Sequence, residues 1–251
     1  PSRGCRTRRS EIPGFPEEVT TVDAIEVENP SAIEAAYLEV IAEARRMDLE
    51  RAKEGVPEDL HDLVEVLPVT EALRARQEAE LHKVSAIRER AHTAREKGES
   101  VAIFVNFDNT IEALRRMLET NSVIRGVRVG AGRDNLDRAR VVRNFQQNKS
   151  WVVIVNNTAG GAGVNLHDPV TQKPRTCLIS PPWSAVVMKQ VLGRTQRLVG
   201  GFSTRRLLFA AGTIEERVMG RVRNKMDCLD MLTDGDLDVA VVDHPHLSAT
   251  A

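Results

Sequence analysis

Short apolar runs separated by amphipathic stretches occupy the chain from residue 101 onwards. The runs are VAIFV (101–105), VIRGVRV (123–129), WVVIV (151–155), TCLIS (176–180) and RRLLFAA (205–211). Runs of this length predict buried strands, and the stretches that follow most of them predict helices. Strands that alternate with helices predict a parallel sheet with helices on both faces, because right-handed crossovers place the helices there. We therefore predict an α/β fold.

The first part of the chain has a different pattern. Residues 1–30 are irregular, with prolines at positions 13, 16 and 30, which predicts a linker. Ser31 and Glu34 then form a capping box, and apolar residues follow at helical spacing. A second helix is predicted from Thr70 to Lys97, with Gly98 as its end. The predicted organisation is a linker (1–30), a helical subdomain (31–98), an α/β domain (99–235) and a tail (236–251).

Composition and charge exclude several classes of protein. The chain contains no apolar run of the roughly 18 residues that a membrane span requires, so we expect no membrane partner and an intracellular location. Cys5, Cys177 and Cys228 are too widely spaced for a zinc site or a disulfide framework. The net charge of −1 neither favours nor excludes a nucleic-acid partner, so local clusters must decide.

A glycine-rich segment follows the WVVIV run. Gly160, Gly161 and Gly163 permit tight turns, and backbone amides exposed there could hold phosphate oxygens. The segment is not a Walker A loop, because the chain contains no Gly-Lys dipeptide. A structural turn is the alternative interpretation.

A second candidate segment spans residues 181–200. Ser184 can cap a helix in which Gln190, Arg194 and Arg197, spaced four and three apart, share one face. Two arginines this close repel each other unless an anion lies between them, and a guanidinium matches phosphate oxygens. The alternative is a solvated basic face, although residues 189–206 contain no acidic partner.

Two more helix starts are predicted. Asp108 or Asn109 can cap a helix after the VAIFV run, and Thr213 with Glu216 forms a capping box near the end of the chain.

Taken in order, these segments resemble the conserved motifs of superfamily-2 helicases, in the form found in Swi/Snf-type ATPases. FVNF (104–107) resembles motif IV and TAGGAGVNL (158–166) resembles motif V. Trp183 followed by Gln190, Arg194 and Arg197 is similar to motif VI. Ser184 and Ala185 depart from the Asn-Pro that usually follows this tryptophan in the family.

The resemblance implies the second, C-terminal RecA-like lobe of an ATP-dependent helicase or translocase. ATP and Mg²⁺ would be bound mainly by a first RecA-like lobe, which we expect to be absent from this chain because no Gly-Lys or Asp-Glu dipeptide occurs in it. The isolated chain is therefore predicted to be inactive. The implied partners are that first lobe and DNA, double-stranded in the favoured case, with RNA left open.

The resemblance also implies roles for individual residues. Arg194 and Arg197 correspond to arginine fingers, and Gln190 would help to align the nucleotide site. The implied nucleic-acid contacts are Thr158, Gly160 and Gly161, and the residues that would link them to the nucleotide are Gly163 and Asn165. Two alternatives stay open: an ATPase-inactive nucleic-acid-binding or scaffolding module derived from such a lobe, and an unrelated doubly wound enzyme with a phosphate-bearing ligand at 156–168.

Overall fold

The described residues form one sheet of six parallel strands, in the order β1-β6-β5-β2-β4-β3. The computed structural model describes residues 13, 18–38, 42, 69–125, 132–160, 164–169, 173–182, 184–194, 201–213 and 215. The described elements are β1 (Glu18–Ile25), α1 (30–38), α2 (Val69–His82), α3 (Val84–Glu96), β2 (Ser100–Val105), α4 (Asp108–Met117), β3 (Val123–Ile124), α5 (Gly132–Gln146), β4 (Val152–Asn156), α6 (Asn157–Gly160), β5 (Arg175–Ile179), α7 (Ala185–Leu192) and β6 (Ser203–Ala210).

Helices cover both faces of the sheet, as predicted. Alternate side chains of a strand point to opposite faces, so β2 contributes to two separate cores. Val101 and Ile103 pack with side chains of α3 and α4, whereas Ala102 and Phe104 pack with side chains of α5 and α7. The central strands β2, β4 and β5 are buried along their whole length, which explains their uninterrupted apolar runs. For the run predicted at 123–129, the described strand is Val123–Ile124, and residues 126–130 lie outside the described part.

The prediction of an irregular linker over residues 1–30 is wrong for residues 18–25. These residues form β1, an edge strand that pairs in parallel with β6 along its whole length. Its sequence, EVTTVDAI, lacks an apolar run, because the buried position at Thr20 is polar. Valine and threonine favour strands through their branched side chains, but pairing with β6 is what fixes these residues as a strand.

The start of α1 also differs from the prediction. Asn29 Oδ1 accepts hydrogen bonds from the Ala32 amide and the Ser31 hydroxyl, so Asn29 is the capping residue and Pro30 takes the first helical position. Proline suits that position because its fixed φ is already helical and its missing N–H has no helical partner to lose.

The helix predicted from Thr70 to Lys97 is two helices, which meet at Lys83. Although α2 and α3 continue the same amphipathic pattern, Lys83 lies between them in a turn and is only 2% exposed. Gly98 ends α3 with φ at +79°, as predicted. Side chains of α3 share a core with β2 and β5, so this part of the predicted helical subdomain packs directly on the sheet.

Candidate functional site

Polar side chains collect at the edge where the parallel strands end, which we call the carboxyl edge. Asn106 follows β2, Asn156 and Asn157 lie at the end of β4, and Ser180 follows β5. In sheets of this type, ligands bind beyond this edge. Asn106, in the motif IV-like segment, accepts here from Asn157, which directly precedes the motif V-like segment.

Asn106 lies at the centre of these contacts. Its Nδ2 donates to the Ser180 carbonyl over 3.3 Å, and its Oδ1 accepts from Asn157 Nδ2 over 2.8 Å. Its own carbonyl accepts from Asn156 Nδ2 over 3.2 Å. The ends of β2, β4 and β5 are therefore joined by side-chain amides.

Glu80, a buried residue of α2, shapes the loop between β2 and α4. Its carboxylate accepts hydrogen bonds from the backbone amides of Asn106, at 2.9 Å, and Phe107, at 3.1 Å. Neither Asp108 nor Asn109 caps α4 as predicted: the helix begins at Asp108, and Phe107 at its N-cap makes no side-chain capping bond. The carboxylate of Glu80 instead accepts from backbone amides just before the helix. Glu80 lies 26 positions before Asn106, so the local sequence around α4 does not contain this partner.

Lys83 connects the same edge to the region after β6. Its Nζ donates to the Ser180 hydroxyl over 3.1 Å and to both carboxylate oxygens of Glu215 over 3.0 Å. Glu215 Oε2 also accepts from the Ala210 amide, and Thr213 Oγ1 accepts from the Glu215 amide, as expected of a capping residue. Lys83 therefore connects the turn between α2 and α3 to the end of β5 and to the region after β6.

A tyrosine and an arginine complete the cluster. Burial, reinforced by the negative charge of Glu215, raises the pKa of the Tyr37 phenol well above its usual value, and Arg76 opposes this effect. Burial lowers the pKa of Arg76, while Tyr37 and Glu80 act in the opposite direction. The Arg76 guanidinium lies 5.6 Å from the centre of the Phe107 ring.

Thr158, a predicted nucleic-acid contact, lies at the carboxyl edge with both of its donors in use. Its amide and its hydroxyl donate to Asn156 Oδ1, over 3.0 Å and 2.6 Å. A single side-chain oxygen therefore occupies the position that a phosphate oxygen would need. Gly160 closes the short helix α6. Gly161 and Gly163 lie outside the described residues.

Two of the predicted catalytic residues, Gln190 and Arg194, lie on α7 and just after it. Ser184 caps this helix, as predicted, by accepting from the Val187 amide. Gln190 is exposed on the helix, but α7 ends at Leu192, so the prediction that Gln190 and Arg194 share one helical face is wrong. Gly193 ends the helix, and the Arg194 amide donates to the Val191 carbonyl in a tighter turn. Arg197 and Trp183 lie outside the described residues.

The segment after the glycines contacts the end of α7. The Leu166 amide donates to the Arg194 carbonyl over 2.8 Å, and Gln146 Nε2 donates to the Asn165 carbonyl over 3.1 Å. Asn165 and Arg194, predicted to serve the nucleotide, are therefore brought to one place. Thr158 begins the same motif V-like segment, and the neighbouring Asn157 donates from Nδ2 to the Ser180 carbonyl over 2.9 Å.

Sequence reasoning missed several buried charged residues that organise this region, among them Glu80, Lys83, Arg175 and Arg205. Glu80 and Lys83 are three positions apart, a spacing that favours an ion pair between them on one face of a helix. The structure instead directs each of them to a distant loop. For the two arginines, the only available signal was a charge at an inward position of a strand.

The chain is similar to helicases in both sequence and fold. Residues 82–199 match the family described as the helicase conserved C-terminal domain. A protein of Acanthamoeba polyphaga mimivirus, named as an ATP-dependent RNA helicase, is 32% identical over 168 residues, which are 66% of this chain and 30% of that protein. The chain therefore spans 30% of the length of this relative.

Two solved structures have the same fold. The C-terminal part of the Fun30 ATPase domain has a TM-score of 0.56 at 14% identity, over 87% of this chain and 99% of that one. The Sulfolobus solfataricus SWI2/SNF2 ATPase C-terminal domain has a TM-score of 0.54 at 14% identity, over 89% and 91%. The predicted RecA-like fold is confirmed. Among the described helices, none is long and apolar enough to cross a membrane.

Proposed function

We propose that the chain is the second lobe of an ATP-dependent nucleic-acid translocase of superfamily 2, because residues 82–199 match the helicase conserved C-terminal domain. The observation that carries the proposal is the hydrogen bond between the Leu166 amide and the Arg194 carbonyl, because it joins the motif V-like and motif VI-like segments. Nucleic-acid contact and nucleotide contact would then move together.

On the nucleotide side, Arg194 and Arg197 act as arginine fingers. A finger stabilises the charge that develops on the transferring γ-phosphate and is worth about 10³ to 10⁵ in rate. Gln190, exposed on α7, helps to align the site. Mg²⁺ and most of the ATP contacts belong, in this proposal, to the first lobe.

On the nucleic-acid side, Thr158, Gly160 and Gly161 hold the phosphate backbone. A phosphate oxygen accepts the hydrogen bonds that Thr158 now gives to Asn156, so binding is an exchange of one oxygen acceptor for another. Such contacts position the nucleic acid without reading its sequence. Gly163 and Asn165 transmit the change along the segment that ends at Leu166.

DNA is the proposed partner, and double-stranded DNA is favoured. The mimivirus relative is named as an RNA helicase, so DNA and RNA duplexes of one sequence have to be compared directly.

The test is ATP turnover with and without a first lobe. The isolated chain should release no phosphate from ATP, with or without DNA, whereas the chain joined to a first RecA-like lobe should show nucleic-acid-stimulated release. Turnover by the pure isolated chain would contradict the proposal. If the joined protein binds nucleic acid but never hydrolyses ATP, the alternative of an ATPase-inactive binding or scaffolding module is correct.

A further inference from the structure

Two arginines are buried on the face of the sheet that α5 and α7 cover. Arg175 lies on β5 and Arg205 on β6, and each is 1% exposed. They point to the same face as Cys177 and Leu207, which belong to the core shared with these helices. Buried arginines are costly unless their donors meet acceptors, so their partners indicate what they do.

Each arginine meets the last turn of one helix. Arg175 donates from Nη2 to the Phe145 carbonyl, near the end of α5, over 3.0 Å. Arg205 donates from Nη1 to the carbonyl of Leu192, the last residue of α7, over 2.7 Å. The last carbonyls of a helix have no N–H partner within the helix and lie at the negative end of its dipole. A guanidinium is therefore a favourable hydrogen-bond donor at both helix ends.

The contact made by Arg205 lies two residues before Arg194. Between them, Gly193 ends the helix, and the Arg194 amide donates to Val191. On its other side, the Arg194 carbonyl accepts from Leu166. The backbone that carries Arg194 is therefore fixed from β6 on one side and from the motif V-like segment on the other.

Arg175 supports the motif V-like segment itself. Its guanidinium lies 4.4 Å from the centre of the Phe145 ring and 4.0 Å from the carboxylate of Asp168, two residues after that segment. The neighbouring Gln146 side chain donates to the Asn165 carbonyl. Each partner in the Leu166–Arg194 contact therefore lies beside the end of a helix, α5 for Leu166 and α7 for Arg194. A buried arginine bonds to each of these helix ends.

We propose that Arg205 is a positioning residue for Arg194: it fixes the end of α7 so that the Arg194 guanidinium reaches the transferring phosphate. The catalytic consequence rests on the proposed function, but the structural link does not. Displacing a catalytic group by about 1 Å can cost about 10²-fold in rate. A residue that only stabilises the fold would not lower the kcat of the folded enzyme while leaving KM for ATP unchanged.

The structural arm uses the chain by itself. Arg205→Met removes the donors and keeps an apolar side chain of similar length, so the Leu166 amide should exchange with solvent at least tenfold faster, whereas buried amides of β2 should not. Arg206→Gln is the matched control, because Arg206 is the next residue on the strand but pairs with Asp23 on the other face. Unchanged protection of Leu166 in Arg205→Met would overturn the proposal.

The catalytic arm uses the chain joined to a first lobe. Arg205→Met should lower kcat about 10²-fold with KM for ATP nearly unchanged. Arg205→Lys, which keeps one charged donor and is the variant to use if Arg205→Met does not fold, should recover part of the loss. A rise in KM with kcat intact would contradict positioning. If Arg194→Ala itself leaves kcat unchanged, the proposed function fails, while the exchange measurement still decides whether Arg205 fixes this backbone.

Discussion

The backbone amide of Leu166 donates to the carbonyl of Arg194 over 2.8 Å, although the two residues are far apart in the sequence. Leu166 ends the segment that follows the glycines, and Arg194 follows the helix that Ser184 begins. A displacement of either segment must break this bond or move the other segment with it. This contact is the physical basis for proposing that nucleic-acid contact and ATP turnover are coupled.

The ion pair between Lys83 and Glu215 should contribute strongly to stability. Removing one partner of a buried pair leaves an uncompensated charge and typically costs about 3 to 5 kcal/mol. Lys83→Met should therefore lower the free energy of unfolding by about 3 kcal/mol, measured by denaturant titration. Lys83→Met combined with Glu215→Gln should lose less than the single variant, because the stranded charge is gone.

A surface pair gives the control for this measurement. Arg140 Nη2 and Asp137 Oδ1 lie 2.9 Å apart, close to the 3.0 Å of the buried pair, but their side chains are 71% and 67% exposed. Arg140→Ala should change the free energy of unfolding by less than about 1 kcal/mol. Equal effects of Lys83→Met and Arg140→Ala would show that the buried pair does not hold the region after β6 to the helix break.

The central strands could be predicted from the sequence because their burial on both faces leaves continuous apolar runs. β1 could not, since Thr20 occupies a buried position and pairing with β6 decides its conformation. The break at Lys83 depends on Ser180 and Glu215, which are 97 and 132 positions away. Local periodicity contains no information about such partners. The helix that carries Gln190 could be predicted from its capping serine, but its end at Leu192, before Arg194, could not.

Alkaline pH should unfold the protein through Tyr37. The fold raises the pKa of this phenol, so its contribution to stability is complete below about pH 10, the value for an unfolded tyrosine, and is lost as the pH rises further. Tyr37 is the single tyrosine of the sequence, so phenolate absorbance reports it alone.

The expected result is that phenolate absorbance and loss of the circular dichroism signal appear together above pH 10. Tyr37→Phe should remove the absorbance change and make stability less dependent on pH in this range. Ionisation with a midpoint near pH 10 while the fold stays intact would show that burial and the charge of Glu215 do not raise the pKa of Tyr37.

Nucleic-acid binding by the isolated chain should be weak, independent of sequence and strongly dependent on salt. Neutralising phosphates releases counterions, so the logarithm of the binding constant should fall linearly with the logarithm of salt concentration. Thr158→Ala should weaken binding at every salt concentration, whereas Thr158→Ser, which keeps the hydroxyl, should not. Fluorescence anisotropy on DNA and RNA duplexes of one sequence measures both effects. Binding that does not respond to salt would argue against a surface that holds the phosphate backbone.

The most direct test of the account is the turnover of arginine variants in the chain joined to a first lobe. Arg197→Ala and Arg194→Ala should bind ATP nearly as well as the unmodified protein, because the first lobe makes most ground-state contacts. Their kcat should fall by about 10³-fold, since a finger acts on the transition state, and Arg197→Lys should restore little because an ammonium lacks the planar fork. Unchanged turnover in both alanine variants, with weakened nucleic-acid binding, would contradict the account and make these arginines backbone contacts.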